Sequence, residues 1–196
     1  MDGWTAAEIV RAVALGIALA ACAGLRAWLP LLLAGGLSRL DVLQLGQAWD
    51  FLGSNTALLL FGLATVIEIA GDKIPAVDHT LDAISTVVRP VAGSVLAASA
   101  MGFIHDPLVA LALGVVVGAP TALVPHALKS GLRAASSAFT LGLANPIVSL
   151  IEDVLTVLLF ALAVLIPLAL AVFLLLIGAL VTRRVIVRRR AVPRTA

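Results

Sequence analysis

The stretch "FLGSNTALLLFGLATVIEIAGDKIPAVD", Phe51 to Asp78, decides the fold class. Its first twenty residues, Phe51 to Ala70, are mostly apolar. About 20 apolar residues is what one helical crossing of a hydrocarbon core about 30 Å thick requires. Yet Glu68, Asp72, Lys73 and Asp78 crowd its end. A membrane helix that runs into four charges ends either in solvent or at a site.

The rest of the chain agrees with a membrane reading. Of 196 residues 62% are hydrophobic and 12% are charged, against about 25% charged in a soluble domain. The mean hydropathy is +1.15. The expectation is one all-α membrane bundle over residues 1–182, with about six crossings plus broken or re-entrant segments and halves near 1–105 and 106–182. Six of the thirteen basic residues fall at or after Arg183. Residues 183–196 therefore read as a basic tail, placed in the cytoplasm by the positive-inside rule, and the body without them is acidic. This expectation puts the chain in a bacterial inner membrane with lipids as its surroundings and no nucleic-acid partner. Cys22 is the single cysteine, so an intrachain disulfide is excluded. The N-terminal apolar stretch begins acidic, without the basic n-region of a signal peptide, and reads as a retained first helix.

Ala6 to Cys22 and Leu108 to Val124 are further clear crossings. "GLRAWLPLLLAGGL", Gly24 to Leu37, is short and carries Pro30, Gly35 and Gly36, which predicts a re-entrant or interfacial hairpin. "STVVRPVAGSVLAASAMGF", Ser85 to Phe103, spans only if Arg89 and Pro90 sit at an interface; its small residues suit close helix packing. The apolar run Pro146 to Thr182 is about 55 Å long as a helix. It either breaks at Pro167 or begins outside the core. The words "GLRA" at Gly24 and Gly131, and the acidic ends at Glu68 and Glu152, recur in the same order in both halves. An inverted repeat, as in many secondary transporters, would produce this.

Glu68 and Asp72, and again Asp78 and Asp82, are four residues apart, a spacing that puts both carboxylates on one helix face. Hard divalent cations take such oxygen ligands, and paired carboxylates also exchange protons. The bland alternative is a solvated loop with Lys73 snorkelling. Glu152 and Asp153 lie inside an apolar stretch where charges are costly, and Arg26 and Arg133 occupy the matching "GLRA" words as counter-ions. The pairs form an ion site or act as salt bridges fastening the bundle. His126 and Lys129 read as a basic pair facing headgroups, and His105 as a loop residue. No hydrolase, P-loop or dinucleotide motif occurs, so no enzymatic activity is expected and no cofactor is required.

"AGLRAWLPLL", "EIAGDKIPAVD", "LDAISTVVRPVAG", "HALKSGLRA" and "NPIVSLIEDV" together resemble the bacterial membrane family catalogued as domain of unknown function 4126. That resemblance implies functional weight at Arg26, Glu68, Asp72, Lys73, Pro75, Asp78, Asp82, Arg89, Pro90, Lys129, Arg133, Asn145, Pro146, Glu152 and Asp153. "EIAGDKI" is also similar to the E-x-G-D-K-T signature of the manganese/calcium-proton exchangers, with one extra residue before Gly71 and Ile74 in place of Thr.

The expected function is a small transporter or channel for an ion or polar solute, with a divalent cation as a candidate substrate and a homodimer as its assembly. Its ion-binding residues are Glu68, Asp72, Asp78, Asp82, Glu152 and Asp153, with Glu68, Asp72 and Glu152 as metal ligands. Arg26, Lys73, Arg89, Lys129 and Arg133 bind counter-charges or headgroups, and Pro30, Pro75, Pro90, Asn145 and Pro146 break helices. The alternatives are a lipid-headgroup-handling protein or flippase, and a structural subunit of a membrane complex.

Overall fold

A computed structural model describes residues 3–72, 75–140 and 144–191. These form seven α-helices and a short 3-10 helix, with no strand among the described residues. Three of the helix starts have a local side-chain cap. The first helix, α1 (Ala6–Leu25), opens on a capping box in which Thr5 Oγ1 accepts from Glu8 N–H at 3.3 Å and Glu8 Oε2 accepts from Thr5 N–H at 2.8 Å. Thr5→Ala is expected to cost about 1 kcal/mol, seen as an earlier thermal unfolding midpoint in detergent. The next is α2 (Trp28–Arg39), followed by the 3-10 helix Gln47–Gly53. Helix α3 (Asn55–Gly71) is capped by Ser54 Oγ, which accepts from Ala57 N–H at 3.2 Å. Helices α4 (Pro75–Ala100), α5 (Pro107–Thr140), α6 (Asn145–Leu165) and α7 (Pro167–Ala191) complete the chain. Asp106 Oδ1 caps α5 by accepting from Leu108 N–H at 2.8 Å.

Helices α1, α5 and α6 are long and apolar enough to cross a membrane, and the bent pair Gln47–Gly53 with Asn55–Gly71 makes a fourth if it counts as one span. Large apolar side chains such as Leu59, Leu63, Ile67, Leu150 and Val154 are exposed along α3 and α6. In water such a surface would be a liability; it is compatible with a membrane protein.

The core is α1 packed against α4 and α5. Small residues set the approach: a Cβ built on Gly118 would lie 2.3 Å from Gly93 O, and one on Gly114 would lie 2.4 Å from Ser94 O. Gly93, Ser94, Ala97 and Ala98, the small-residue face of α4, are the surface these glycines meet. Cys22 is fully buried among Ala18, Leu19 and Ala23 of the same core.

Several expectations need correction. Residues 24–37 make no hairpin: α1 ends at Leu25, the backbone is extended at Arg26, and α2 starts at Trp28. Pro30 lies in the first turn of α2, where its missing N–H costs little. Pro75 begins α4, and Asn145 and Pro146 begin α6, so both mark starts. Pro90 does not break α4, which runs through it, as α5 runs through Pro120 and Pro125; neighbouring helices make such prolines tolerable. "GLRA" at Gly131 lies within continuous α5, unlike its copy at the α1–α2 break. The long apolar run does break at Pro167, with Ile166 (φ −137°, ψ 60°) between α6 and α7. Helix α7 continues to Ala191, so the basic segment begins as helix.

Candidate functional site

Charged residues from five elements converge inside the bundle. Arg26 stands at the C-cap of α1, Asp72 at the C-cap of α3, Arg89 in α4, Lys129 and Arg133 in α5, and Glu152 and Asp153 in α6. Arg26 is 0% exposed, and Asp72, Arg89, Lys129, Arg133, Glu152, Glu68 and His126 are all buried. A solvated loop at Glu68 and a headgroup-facing pair at His126 and Lys129 are therefore both replaced by interior positions.

Asp72 is the hub. Its Oδ2 accepts from Arg26 Nη1, from Arg133 Nη2 at 2.8 Å and from Lys129 Nζ at 3.4 Å. Glu152 Oε2 is shared between Lys129 Nζ at 2.8 Å and Arg133 Nη2 at 3.3 Å. Arg26 Nη2 reaches Asp153 Oδ1 at 2.7 Å and donates to Ser149 Oγ at 2.8 Å. Lys129 also donates to Leu25 O at 3.5 Å, one of the carbonyls left open at the end of α1. Arg26 and Arg133 thus each contact acids from both halves of the chain, and the contacts that cross are made by aspartates.

Glu68 does different work. Ala27 holds the N-cap position of α2 and has no capping oxygen of its own. Glu68 supplies both: Oε1 accepts from Ala27 N–H at 3.1 Å and Oε2 from Trp28 N–H at 3.3 Å. A carboxylate at a helix N-terminus also meets the positive end of the helix dipole. Arg89 Nη2 lies 3.6 Å from the same Oε1, and Arg89 Nη1 is 2.7 Å from His126 Nδ1. Thr86 Oγ1 is 3.3 Å from His126 Nε2. Glu68→Ala is expected to lower stability by about 1–2 kcal/mol through the lost cap and to loosen the α1–α2 break, read as faster amide exchange at Ala27 and Trp28.

Among the described residues four cations, Arg26, Arg89, Lys129 and Arg133, face four carboxylates, Glu68, Asp72, Glu152 and Asp153. No three His, Cys, Asp or Glu side chains among the described residues come together as a metal-binding group. Glu68, Asp72 and Glu152, read from sequence as metal ligands, are held by cations and backbone N–H groups; cation ligation would require an exchange of those partners. Lys73 lies outside the described residues, as do the side chains of Asp78 and Asp82, although both of these stand on the first turns of α4.

Sequence reasoning missed Ser149, Thr86 and the role of His126. A signal for two of them was present: His126, Lys129 and Arg133 are spaced three and four apart on α5, and Ser149 precedes Glu152 by three on α6, which places each set on one helix face.

Beside the network lies a cavity of about 710 Å³ between α1, α5, α6 and α7. Its wall is mostly apolar, with Ala21, Val124, Leu128, Leu155, Leu159 and Ile177, and among the described residues Thr121, Lys129 and Glu152 are its polar members. That size falls within the roughly 300–1,000 Å³ of small-molecule sites.

No curated protein and no solved structure matches this chain. A family model does, covering residues 13–186 and so both the α1–α2 break and every charged residue of the network. The chain belongs to the family described as domain of unknown function (DUF4126).

Proposed function

We propose that the protein is a membrane carrier for an amphiphile, with the apolar chain of the ligand in the cavity between α1, α5, α6 and α7 and its polar head against the ion-pair network. The observation that carries this reading is the junction itself: an apolar cavity whose charged wall residues, among the described residues, are Lys129 and Glu152. Ligand sites combine an apolar lining with a few placed polar groups, and this is the shape of a molecule with a tail and a head. The network adds a means of response, since Lys129 and Arg133 each have two carboxylates to choose between.

That sharing also favours a second reading, the carrier or channel for an ion or small polar solute, divalent-cation or proton-coupled, in which Glu152 and Asp72 change partners as the cargo passes. Either reading goes with about six crossings, two inverted halves, a homodimer, a bacterial inner-membrane location and a cytoplasmic C-terminus. A purely structural subunit would need neither the cavity nor the shared carboxylates.

The test reconstitutes the full chain in liposomes and follows both a labelled phospholipid crossing the bilayer and the flux of protons and divalent cations, for wild type and for Glu152→Gln. Lipid movement above protein-free liposomes, reduced about tenfold or more in the variant, is the expected result. Ion flux without lipid movement would transfer the assignment to the second reading. Neither activity, from protein that remains folded, would overturn carriage of any kind.

A further inference from the structure

We propose that the groove at the α6–α7 break binds an anionic phospholipid, its phosphate paired with Arg11 and one acyl chain laid along the apolar wall. The site goes beyond the carrier reading and is separate from the network: Arg11 stands 15 residues before Arg26, about 22 Å along α1. Where α6 ends at Leu165 and α7 restarts at Pro167, the turned chain lies against the first turns of α1 and leaves a groove of about 700 Å³. Val10, Leu165 and Ile166 give it exposed apolar sides, and the small side chains of Ala7 and Ala169 leave it open. Arg11 is its one charged member among the described residues.

Arg11 lies inside a helix long and apolar enough to cross a membrane, where an unpaired charge is costly. It is exposed and, among the described residues, has no hydrogen-bond or ion-pair partner. The one acid of α1, Glu8, is turned to the cap, its Oε2 accepting from Thr5 N–H and from Thr5 Oγ1, both at 2.8 Å. The facing wall supplies no acid either, because the chain holds no Asp or Glu after Asp153. The same end of the bundle gathers aromatic rings: Trp4 meets Phe103 at 6.0 Å between centroids, and Trp49 meets Phe51 at 6.1 Å. Such rings collect at the headgroup level of a bilayer. Arg11, less than two turns into α1, therefore reaches lipid phosphate by snorkelling. A guanidinium suits phosphate because its planar fork of N–H donors matches the oxygens. A groove without a carboxylate has no seat for the ammonium of a zwitterionic head, so the lipid it favours carries net negative charge.

The experiment measures binding of two phospholipids with the same chains, a phosphatidylglycerol and a phosphatidylcholine, to the delipidated full chain in detergent. The glycerol head is expected to bind about tenfold or more tighter than the choline head. Arg11→Gln, which breaks no contact with a polar partner among the described residues, is expected to remove that difference. Ala169→Trp fills the groove and is expected to weaken both lipids. The arginines at the end of α7 also attract anionic lipid, so Arg183→Gln/Arg184→Gln is the control and is expected to keep the difference. Equal binding of the two heads by wild type, a difference that survives Arg11→Gln, or one that disappears in the α7 double variant would overturn the assignment of the phosphate to Arg11. Unchanged binding by Ala169→Trp would overturn the groove as the seat of the chain. Millimolar inorganic phosphate is expected not to displace the glycerol lipid; displacement would reduce the site to an anion pocket and overturn the lipid.

Discussion

Asp72→Asn is expected to destabilise the protein by about 3–5 kcal/mol, the largest single effect in the molecule. The substitution keeps the size of the side chain and removes one charge. That charge is the common partner of Arg26, Lys129 and Arg133. Glu152 and Asp153 then remain for three buried cations, and in a low-dielectric interior an uncompensated charge costs far more than a surface pair ever contributes. The measurement is the thermal unfolding midpoint in detergent, together with the fraction of monodisperse protein recovered. A cycle with Arg133→Gln separates charge balance from packing: the double variant is expected to recover about 1–3 kcal/mol relative to the sum of the single effects. An unchanged midpoint for Asp72→Asn would show that the network does not hold the helices together.

Gly118→Leu is the second. The first carbon of any side chain there would stand 2.3 Å from Gly93 O and 2.9 Å from Ala97 Cβ. The obstacle is backbone, which cannot swing aside as a side chain can, so α5 must move away from α4. Overpacking of ordinary cores costs about 1–3 kcal/mol; displacement of two helices along their tightest contact belongs at or beyond the top of that range. The expected outcome is a large loss of folded protein on extraction. Gly62 on α3 provides the contrast, because nothing lies within 4 Å of a Cβ built there. Gly62→Ala is expected to be neutral or stabilising by up to about 1 kcal/mol, the helix propensity difference. If the two variants behave alike, close approach of α4 and α5 is not what the glycines serve.

The class of the fold was legible because burial of backbone polar groups in lipid leaves helices as the main solution, and apolar runs of the right length announce them. The α6–α7 break was one of two readings open from sequence, because Pro167 interrupts a run too long for one crossing. Pro90, Pro120 and Pro125 were less informative, since a proline deep in a packed bundle no longer ends its helix. The charged residues of the site could be named, because charges are rare in such a chain, but their roles could not. Glu68 and Asp72 illustrate this: four apart, they invite a shared ligand, yet α3 ends at Gly71 and sends Asp72 to the cations while Glu68 turns to the start of α2. Which carboxylate meets which cation depends on how separate helices pack, as with Arg133 and Asp72, 61 residues apart, and spacing carries no record of that. The cavity was equally hidden, for it exists only between four helices whose apolar faces look alike in one dimension.

The burial of Cys22 makes the natural protein a labelling blank. The chain contains no other thiol, and this one sits at 0% exposure inside the α1 core, out of reach of maleimides as long as the bundle stays closed. A cysteine introduced at Trp4 or at Thr182, both exposed, would report its side of the membrane against a silent background, with no need to mutate the core first. The same blank is also a sensor: any labelling of the unmodified protein would register the moment at which α1 parts from its neighbours.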